Sequence, residues 1–315
     1  MRSAPSGFIR APSPKEHVTG MAEPMIRVWD GEAPLLHEVM RRAGAHHVPW
    51  QVALEVTYHC NLRCRHCYVD DGLKCAARRE LTIDAWRSVL DQLAEAGTLH
   101  LLITGGEPLL RPDLLQILEA ATERGFFIAL LTNGTLVTTD WIQRLRALRP
   151  HCVGTSRYGA TAATHDAVTR QRGSFGLTTG TVRSLVAAGL TTVVQATAMA
   201  SNLHEIPTMR ALVEAMGAIF SLGISMMPTK ACGLGPQTLE ATVDAAVEHL
   251  RGELSGTLTE PRPQGPGPCQ AGRGICAVAP DGGLYPCLLM PLRLGSLSER
   301  RFADLWWRQP AASRS

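Results

Sequence analysis

The sequence has few lysines, few aromatic residues and no long apolar segment. Lysine occurs only at positions 15, 74 and 230, so nearly all of the basic residues are arginines, spread along the chain. The net charge is only +3, and this distribution gives no basic patch for nucleic acid. No apolar run approaches the ~20 residues of a membrane span, and residues 1–20 lack the apolar core of a signal peptide. We therefore expect a soluble protein with neither nucleic acid nor a membrane as partner.

We do not expect the nine cysteines to form a disulfide framework. Nine is an odd number, and the chain is long and carries no secretory signal. Free thiols indicate the reducing cytoplasm as the expected location. With 315 residues, of which 45% are hydrophobic, the chain can bury a large core.

Short apolar runs alternate with longer amphipathic segments from residue 51 onward. This alternation predicts parallel strands joined by crossover helices. Six such units are fewer than the eight of a closed barrel, so a partial (β/α)6 barrel or an open doubly wound sheet fits. The predicted strands cover 51–57, 99–104, 126–132, 151–157, 191–199 and 218–226, and the predicted helices cover 33–44, 82–96, 112–124, 139–148, 174–189, 204–216 and 237–253. We expect a tail and helix over 1–48, the barrel over 49–260 and a small domain over 261–315.

Three cysteines follow the first predicted strand at C-x3-C-x2-C spacing: Cys60, Cys64 and Cys67. Thiolate is the ligand that iron-sulfur clusters select, and three thiolates leave one iron of a four-iron cluster open to a small molecule. A structural zinc site is the alternative, with His59 or His66 as the fourth ligand. The cysteine spacing alone does not decide between an iron-sulfur cluster and a zinc site.

Further motifs also stand at predicted strand ends, where ligands collect in parallel α/β folds. Gly105-Gly106-Glu107-Pro108 follows the second strand, Asn133-Gly134 the third, and Ser156-Arg157-Tyr158-Gly159 closes the fourth. Glycines let the backbone approach a ligand, and a carboxylate can hold an ammonium group. Each motif alone also fits an ordinary turn. Their shared position at strand ends favours a binding site.

At this point the sequence resembles the radical SAM superfamily, whose signature is the same cysteine spacing followed by an aromatic residue, here Tyr68. The resemblance implies that Cys60, Cys64 and Cys67 hold a [4Fe-4S] cluster whose fourth iron binds S-adenosylmethionine (SAM). It further implies that the Tyr68 backbone meets the adenine and that Gly105, Gly106 and Glu107 hold the methionyl ammonium. Asn133 and Ser156 would line the nucleoside and carboxylate side. Whether SAM is consumed or recycled is left open.

The segment from Ser156 through His165-Asp166 to Gly173-Ser174-Phe175 is similar to the subgroup with SPASM or twitch extensions. In this segment Arg170 and Arg172 are candidate carboxylate clamps. A solvated helix start is the alternative for both arginines.

The C-terminal segment carries three further cysteines, Cys269, Cys276 and Cys287, after a Pro- and Gly-rich linker at 261–268. Asp281-Gly282-Gly283 between two apolar runs predicts a hairpin. The pattern resembles the first half of a SPASM domain, which implies an auxiliary iron-sulfur cluster held by these three cysteines. The fourth position could be open, or filled by Cys232 or by a partner. Cys75 and Cys152 match no motif and are interpreted as structural.

Three functions are compatible with this resemblance. The first is modification of a peptide, as in natural-product maturation, by a 5'-deoxyadenosyl radical that abstracts hydrogen. The second is oxidation or decarboxylation of a small-molecule side chain, as in tetrapyrrole or other cofactor synthesis. Enzymes that decarboxylate tetrapyrrole propionates tend to have Asp at the position of Tyr158. This difference favours modification of a peptide. The third is a non-catalytic metal-binding scaffold. An enzyme of this type implies a flavodoxin- or ferredoxin-type reductant, and a leader-binding protein could act in trans.

Overall fold

A single nine-stranded sheet organises the described part of the chain. The computed structural model describes residues 34–75, 79–224, 226, 228–230, 233, 235–242, 245 and 269–307. Spatial strand order is β6-β5-β4-β3-β2-β1-β7-β8-β9, with β1 to β7 parallel and β8 and β9 antiparallel. The strands are β1 Gln51–Thr57, β2 His100–Gly105, β3 Phe127–Thr132, β4 Cys152–Ser156, β5 Thr192–Thr197, β6 Ile219–Gly223, β7 Ile275–Val278, β8 Gly283–Tyr285 and β9 Gly295–Ser296. The sheet does not close, so the fold is an open partial barrel.

Helices fill most of the connections between the parallel strands. They are α1 Pro34–Ala45, α2 Asp71–Cys75, α3 Ile83–Glu95, α4 Leu114–Glu123, α5 Thr139–Leu148, α6 Ala162–Thr169, α7 Ser174–Ala187, α8 Ile206–Ala215 and α9 Phe302–Trp306. Short 3-10 turns lie at Pro108–Leu110, Leu203–Glu205 and Pro236–Leu239. None of the helices within the described residues is long and apolar enough to cross a membrane.

The six strands predicted from the sequence are confirmed, as are the helices predicted at 33–44, 82–96, 112–124, 139–148, 174–189 and 204–216, with boundaries that differ by a few residues. The short helices α2, α6 and α9 were not predicted. The helix predicted at 237–253 lies mostly outside the described residues, and the described part of its start is the turn Pro236–Leu239.

Local sequence signals explain why the main helices form where they do. Helix α3 begins after Thr82, whose side chain accepts a hydrogen bond from the Ala85 amide. Such N-caps are worth about 1 kcal/mol. Its buried residues recur at helical spacing and pack on the sheet: Trp86, Val89, Leu90 and Leu93. Burial of each such side chain contributes roughly 1.5–3 kcal/mol.

The two faces of the sheet differ in side-chain size. Residues such as Val52, Leu54 and Val56 of β1 face the helices in the largest core cluster. The opposite, inner face carries a smaller cluster with one residue from each of six neighbouring strands: Ala53, Leu102, Ala129, Cys152, Val193 and Ala277. Strand alternation therefore directs Glu55 to this inner face as well, two residues beyond Ala53.

The C-terminal segment extends the barrel sheet. Strand β7 pairs with β1 in parallel, with Val52 opposite Cys276. Strands β7 and β8 form the predicted hairpin, whose turn has Gly282 at φ 81°. The hairpin prediction is confirmed, and the sheet runs from the barrel strands into the hairpin.

Candidate active site

The three-cysteine loop leaves the carboxyl end of β1 and packs against the end of α6. The amides of Arg63 and Arg65 donate to the carbonyls of Thr169 and Val168, at 3.4 and 3.0 Å. Within the loop, the Leu62 amide donates to the Cys60 sulfur at 3.4 Å. Hydrogen bonds to cysteine sulfur are one of the means by which proteins tune iron-sulfur clusters. The fold therefore holds the loop from two sides.

The thiols of this loop lie in an apolar setting that suits metal-bound thiolates. Burial raises the pKa values of Cys60 and Cys67, and it raises the pKa of Cys64 to about 12. A free thiolate is therefore disfavoured here, so the three thiolates require a positively charged group that binds them. The donor chemistry fits an iron-sulfur cluster.

Lys74 of α2 supplies a positive charge beside the three thiols. Its side chain is 4% exposed and lies 3.5 Å from Asp71. Burial lowers the pKa of the ammonium, but the charges of Cys67, Cys60 and Cys64 outweigh it, and the pKa is raised. The ammonium stabilises negative charge in the loop.

A site for one metal ion is not formed by the described residues. Among them, no three His, Cys, Asp or Glu side chains are grouped so that they could hold one ion. A zinc site needs its ligands around a single point. The thiolates of a four-iron cluster bind different irons, so they require no such convergence.

Gly105 and Gly106 bring the end of β2 against the start of the cysteine loop. Gly105 has φ 132°, and a Cβ there would collide with the Thr57 carbonyl oxygen. A Cβ on Gly106 would collide with the carbonyl oxygens of Tyr58 and His59. Only glycine permits this approach, which sets the distance between the two loops.

Glu107 is fully buried, and its carboxylate joins the ends of β2 and β3. It accepts hydrogen bonds from Thr132 Oγ1 at 2.7 Å, the Asn133 amide at 2.7 Å and the Leu109 amide at 3.1 Å. Burial raises the pKa of Glu107 to about 7, although these hydrogen bonds lower it. Three of roughly four acceptor positions are therefore used within the protein.

Asn133, at the end of β3, lies beside the cysteine loop. Its Nδ2 donates to Asn61 Oδ1 at 2.8 Å and lies 4.0 Å from the Cys60 sulfur. Its Oδ1 accepts from the Thr135 amide at 2.9 Å. The third strand end therefore contacts the residue that follows Cys60.

The fourth strand end contributes a row of aromatic rings beside Cys64. Tyr158 is buried, its ring centroid lies 4.3 Å from that of His66, and it stacks on His165 at 5.8 Å. The side chains of Ser156 and Tyr158 are hydrogen-bonded. Burial lowers the pKa of His66 to about 4, so this ring is neutral at physiological pH. The cysteine loop therefore has an uncharged aromatic wall.

Arg170 and Arg172 lie in the exposed connection between α6 and α7. Arg170 ends α6 with φ 56° and is exposed. Asp166 explains the nearby Gly-Ser-Phe motif, because its carboxylate accepts from the amides of Gly173 and Phe175 at 2.6 and 2.9 Å. The motif caps α7 and fixes the loop that carries both arginines.

Two of the C-terminal cysteines lie in neighbouring loops. Cys269 is exposed and Cys287 is half-buried. The Gly272 amide donates to the Pro286 carbonyl at 2.9 Å, which links the turn after Cys269 to the residue before Cys287. The Cys287 sulfur accepts from the Leu289 amide at 3.3 Å, the same pattern as at Cys60.

Cys276 does not fit the ligand role predicted for it. Strand alternation places it with Val278 on the helix-facing side of β7, in the main apolar core, and it is 2% exposed. Burial raises its thiol pKa with no compensating contact. Cys276 is a packing residue in this structure. Cys232 lies outside the described residues, Cys75 is exposed at the end of α2, and Cys152 is buried on the inner face of β4.

Sequence reasoning missed two charged residues of the site, Glu55 and Lys230. Lys230 Nζ lies 2.6 Å from Glu55 Oε2, and the Glu55 side chain has no exposure. The available signal was a glutamate inside the buried apolar run of β1, because buried carboxylates are rare unless they are paired. The Tyr68 hydroxyl also donates to Glu55 at 3.1 Å, and the Tyr68 carbonyl accepts from the Lys230 amide at 2.8 Å.

An open parallel barrel with three partly buried thiols at the end of its first strand fits an iron-sulfur protein of the α/β class. Comparison with protein families gives the assignment. Residues 54–213 match the Radical SAM superfamily, and residues 269–314 match SPASM, an iron-sulfur cluster-binding domain. The chain belongs to the radical SAM superfamily, whose cofactors are a [4Fe-4S] cluster and SAM, and its C-terminal segment is an auxiliary-cluster domain.

Similar proteins include enzymes with different substrates. The chain is 29% identical to an AdoMet-dependent heme synthase of Methanosarcina barkeri, over 82% of each chain. It is 30% identical to a PqqA peptide cyclase of Xanthomonas euvesicatoria, over 82% of this chain and 74% of the other. Among solved structures, Streptococcus suis SuiB bound to S-adenosylmethionine has a TM-score of 0.69 at 16% identity, covering 87% of this chain and 70% of that one. This structural likeness shows the same fold.

Proposed function

We propose that this radical SAM enzyme modifies a peptide. The observation that carries the proposal is similarity across barrel and C-terminal domain to proteins that act on peptides. The relatives include PqqA peptide cyclases, and the same fold is seen in SuiB bound to its precursor peptide SuiA and in anSMEcpe bound to a peptide. Tyr158 supports this choice, because a buried aromatic ring stands where the decarboxylating enzymes tend to have a carboxylate.

The residues of the chain have defined roles in this proposal. Cys60, Cys64 and Cys67 hold the SAM-binding cluster, and Gly105, Gly106 and Glu107 hold the methionyl ammonium. When cluster and SAM are bound, they supply reductive cleavage of SAM and hydrogen abstraction by the 5'-deoxyadenosyl radical. The apolar inner face of the sheet excludes water from the radical.

The remaining assignments support the same site. The Tyr68 backbone meets the adenine, and Asn133 and Ser156 line the nucleoside and carboxylate side. Arg170, an exposed side chain in the α6–α7 connection, is a candidate carboxylate clamp. Cys269 and Cys287 hold the auxiliary cluster, with the remaining ligands still to be identified. The proposed barrel domain covers 49–260, and the proposed auxiliary-cluster domain covers 261–315. A flavodoxin- or ferredoxin-type protein would supply the electron, and a leader-binding protein would act in trans. We propose the reducing cytoplasm as the location, because cysteines stay available there as metal ligands.

The second candidate is decarboxylation or oxidation of a tetrapyrrole side chain. The similarity to AdoMet-dependent heme synthase over 82% of both chains favours it. The two candidates differ in the product that they release. Peptide modification removes hydrogen or exchanges it with solvent, whereas decarboxylation removes carbon dioxide.

One experiment separates these functions. Anaerobically reconstituted and reduced enzyme is incubated with SAM and either a short peptide encoded beside its gene or a tetrapyrrole that carries propionate side chains. Mass spectrometry in deuterated water reports hydrogen loss or deuterium uptake in the peptide, and loss of carbon dioxide from the tetrapyrrole. We expect 5'-deoxyadenosine and a changed peptide. A decarboxylated tetrapyrrole with an unchanged peptide would contradict the proposal, and a protein that cleaves no SAM under several reductants would be a scaffold.

A further inference from the structure

A buried ion pair lies between the cysteine loop and the C-terminal hairpin. Lys230, in the segment after β6, places its ammonium 2.6 Å from a carboxylate oxygen of Glu55. The lysine side chain is 13% exposed and that of Glu55 has no exposure. Glu55 faces the inside of the barrel, two residues beyond Ala53 on β1. The ion pair therefore lies on the inner face of the sheet and not on the protein surface.

Three tyrosines surround the ion pair. The hydroxyls of Tyr58 and Tyr68 donate to the two carboxylate oxygens of Glu55, at 3.2 and 3.1 Å. The Lys230 ammonium lies 5.6 Å from the ring centroids of both tyrosines and 5.1 Å from that of Tyr285. Each distance is within the range of a cation–π interaction. We call Glu55, Tyr58, Tyr68 and Tyr285 around this ammonium the Lys230 cage.

Two tyrosines of the cage flank the SAM-cluster ligands. Tyr58 precedes Cys60 by two residues, and Tyr68 follows Cys67 directly. The Lys230 amide also donates to the Tyr68 carbonyl at 2.8 Å, so lysine main chain and side chain both contact Tyr68. Lys230 therefore holds both ends of the cysteine loop.

The third tyrosine belongs to the other iron-sulfur region. Tyr285 lies on β8, pairs with Ala277 of β7 and precedes Cys287 by two residues. One ammonium thus contacts the cysteine loop and the hairpin of the C-terminal domain at the same time.

Stability alone gives a weak reason for such a pair. A buried ion pair loses solvation on both partners, and apolar residues of similar volume are often equally stable. Burial accordingly raises the pKa of Glu55, and Lys230 opposes that shift. Charge and hydrogen bonds fix the surrounding groups in one arrangement, which apolar packing does not do.

We propose that Lys230 is a positioning residue that fixes the SAM-cluster loop against the C-terminal hairpin. The inference rests on the two cysteine sites of the proposed function and is independent of the substrate. Loss of the ammonium frees Tyr68 and Tyr285 from their common contact. The β1–β7 pairing still joins the two segments, but the loop beside the bound SAM and the hairpin beside Cys287 lose the contact that fixes their side chains against each other.

The test uses reconstituted holoenzyme with Lys230→Met and with the double variant Glu55→Leu/Lys230→Met. Glu55 can take up a proton when it is left alone, so the single variant is expected to fold, and the double variant removes the buried charge altogether. Arg124→Met is the matched control, because it breaks the Arg124–Asp91 ion pair of 2.7 Å between α4 and α3, away from the cage.

Two readouts decide the outcome. The SAM concentration that half-saturates the change in the cluster's electron paramagnetic resonance spectrum is expected to rise about tenfold in both cage variants, as for loss of one charge-assisted contact. Hydrogen exchange is expected to rise in residues 58–68 and 275–285 together. Arg124→Met should change neither quantity. Wild-type behaviour of both cage variants, or an equal effect of Arg124→Met, would overturn the proposal.

A rescue experiment tests the role of the charge itself. Lys230→Ala leaves a cage that a small ammonium ion can enter, and ethylammonium is expected to restore SAM half-saturation to within about threefold of wild type. Sodium at the same ionic strength should have no effect. Failure of ethylammonium to restore binding would overturn the role of the ammonium. If wild-type protein itself binds no SAM, the proposed function fails, while the hydrogen-exchange comparison still decides whether Lys230 joins the two segments.

Discussion

Replacement of Glu107 by glutamine tests how the ends of β2 and β3 are held together. In the structure one carboxylate oxygen accepts from the Asn133 amide at 2.7 Å, and the other accepts from Thr132 Oγ1 at 2.7 Å and the Leu109 amide at 3.1 Å. Glutamine keeps one oxygen and replaces the other with an NH2 group. One buried donor is then left facing another donor.

The expected loss of stability follows from that unpaired donor. A buried N–H without an acceptor costs about 1–3 kcal/mol. For a domain of this size the melting temperature should fall by about 2–12 °C. Thermal unfolding of the reconstituted protein, followed by circular dichroism, measures this change. A Glu107→Gln variant that melts like wild type would refute the assigned hydrogen bonds.

The same substitution should change the pH dependence of stability. Burial raises the pKa of Glu107 from its ordinary value to about 7, so the folded state binds a proton more readily than the unfolded state. Its contribution to stability is therefore full below the unfolded pKa and is lost as pH rises through about 7. Between pH 6 and pH 8 wild type should lose about 1 kcal/mol more than Glu107→Gln. Equal slopes in the two proteins would contradict this reasoning.

Thr132→Val separates the two roles that Glu107 can have. Valine removes one donor to the carboxylate, and it also removes the acceptor of the Gly134 amide at 3.1 Å, but it leaves the carboxylate in place. If Glu107 acts by fixing the loop ends, both variants should weaken SAM binding. If its carboxylate holds the methionyl ammonium directly, Glu107→Gln should weaken SAM binding far more than Thr132→Val. Equilibrium titration with SAM under anaerobic conditions measures both.

Three further outcomes are expected. Cys60→Ala should remove about four irons and abolish cleavage of SAM, while the auxiliary cluster keeps its spectrum. Cys287→Ala should lose the auxiliary iron. Cys276→Ala should keep all of the iron and cost roughly 1–3 kcal/mol of stability, because it leaves a small cavity in the core. Loss of iron in Cys276→Ala would contradict the placement of Cys276 in the core. Lys74→Met should shift the reduction potential of the SAM cluster to a more negative value in a redox titration, since removal of a buried cation disfavours the added electron. An unchanged potential would show that Lys74 does not act on the cluster.

The sequence was informative wherever chemistry and local periodicity coincide. The cysteine spacing and the Gly105-Gly106-Glu107-Pro108 motif are each readable within a few residues, and the alternation of strands and helices is visible in short windows. Helices α2 and α6 were missed for a local reason. The first has five residues, and the second, Ala162–Thr169, buries only a narrow face, so neither produces a strong helical pattern.

Features that depend on distant segments could not be predicted. Cys276 has suitable spacing to Cys287, but the parallel pairing of β7 with β1 turns its side chain to the helices. Nothing local in the sequence reports that pairing, because it joins segments that are far apart in the chain. The Lys230–Glu55 pair was missed for the same reason.

The two lysines that the structure describes, Lys74 and Lys230, both lie in confined places beside the iron-sulfur regions. Arginine supplies nearly all of the positive charge of this chain. Lys74 nevertheless lies beside three thiols and Lys230 inside a ring of tyrosines, and both side chains are largely buried. A guanidinium is a wide planar group, whereas an ammonium is a compact charge that fits among sulfur atoms or aromatic rings. Each position needs a positive charge in little space next to an iron-sulfur region that becomes more negative on reduction. That requirement explains why lysine, and not arginine, occupies these two positions.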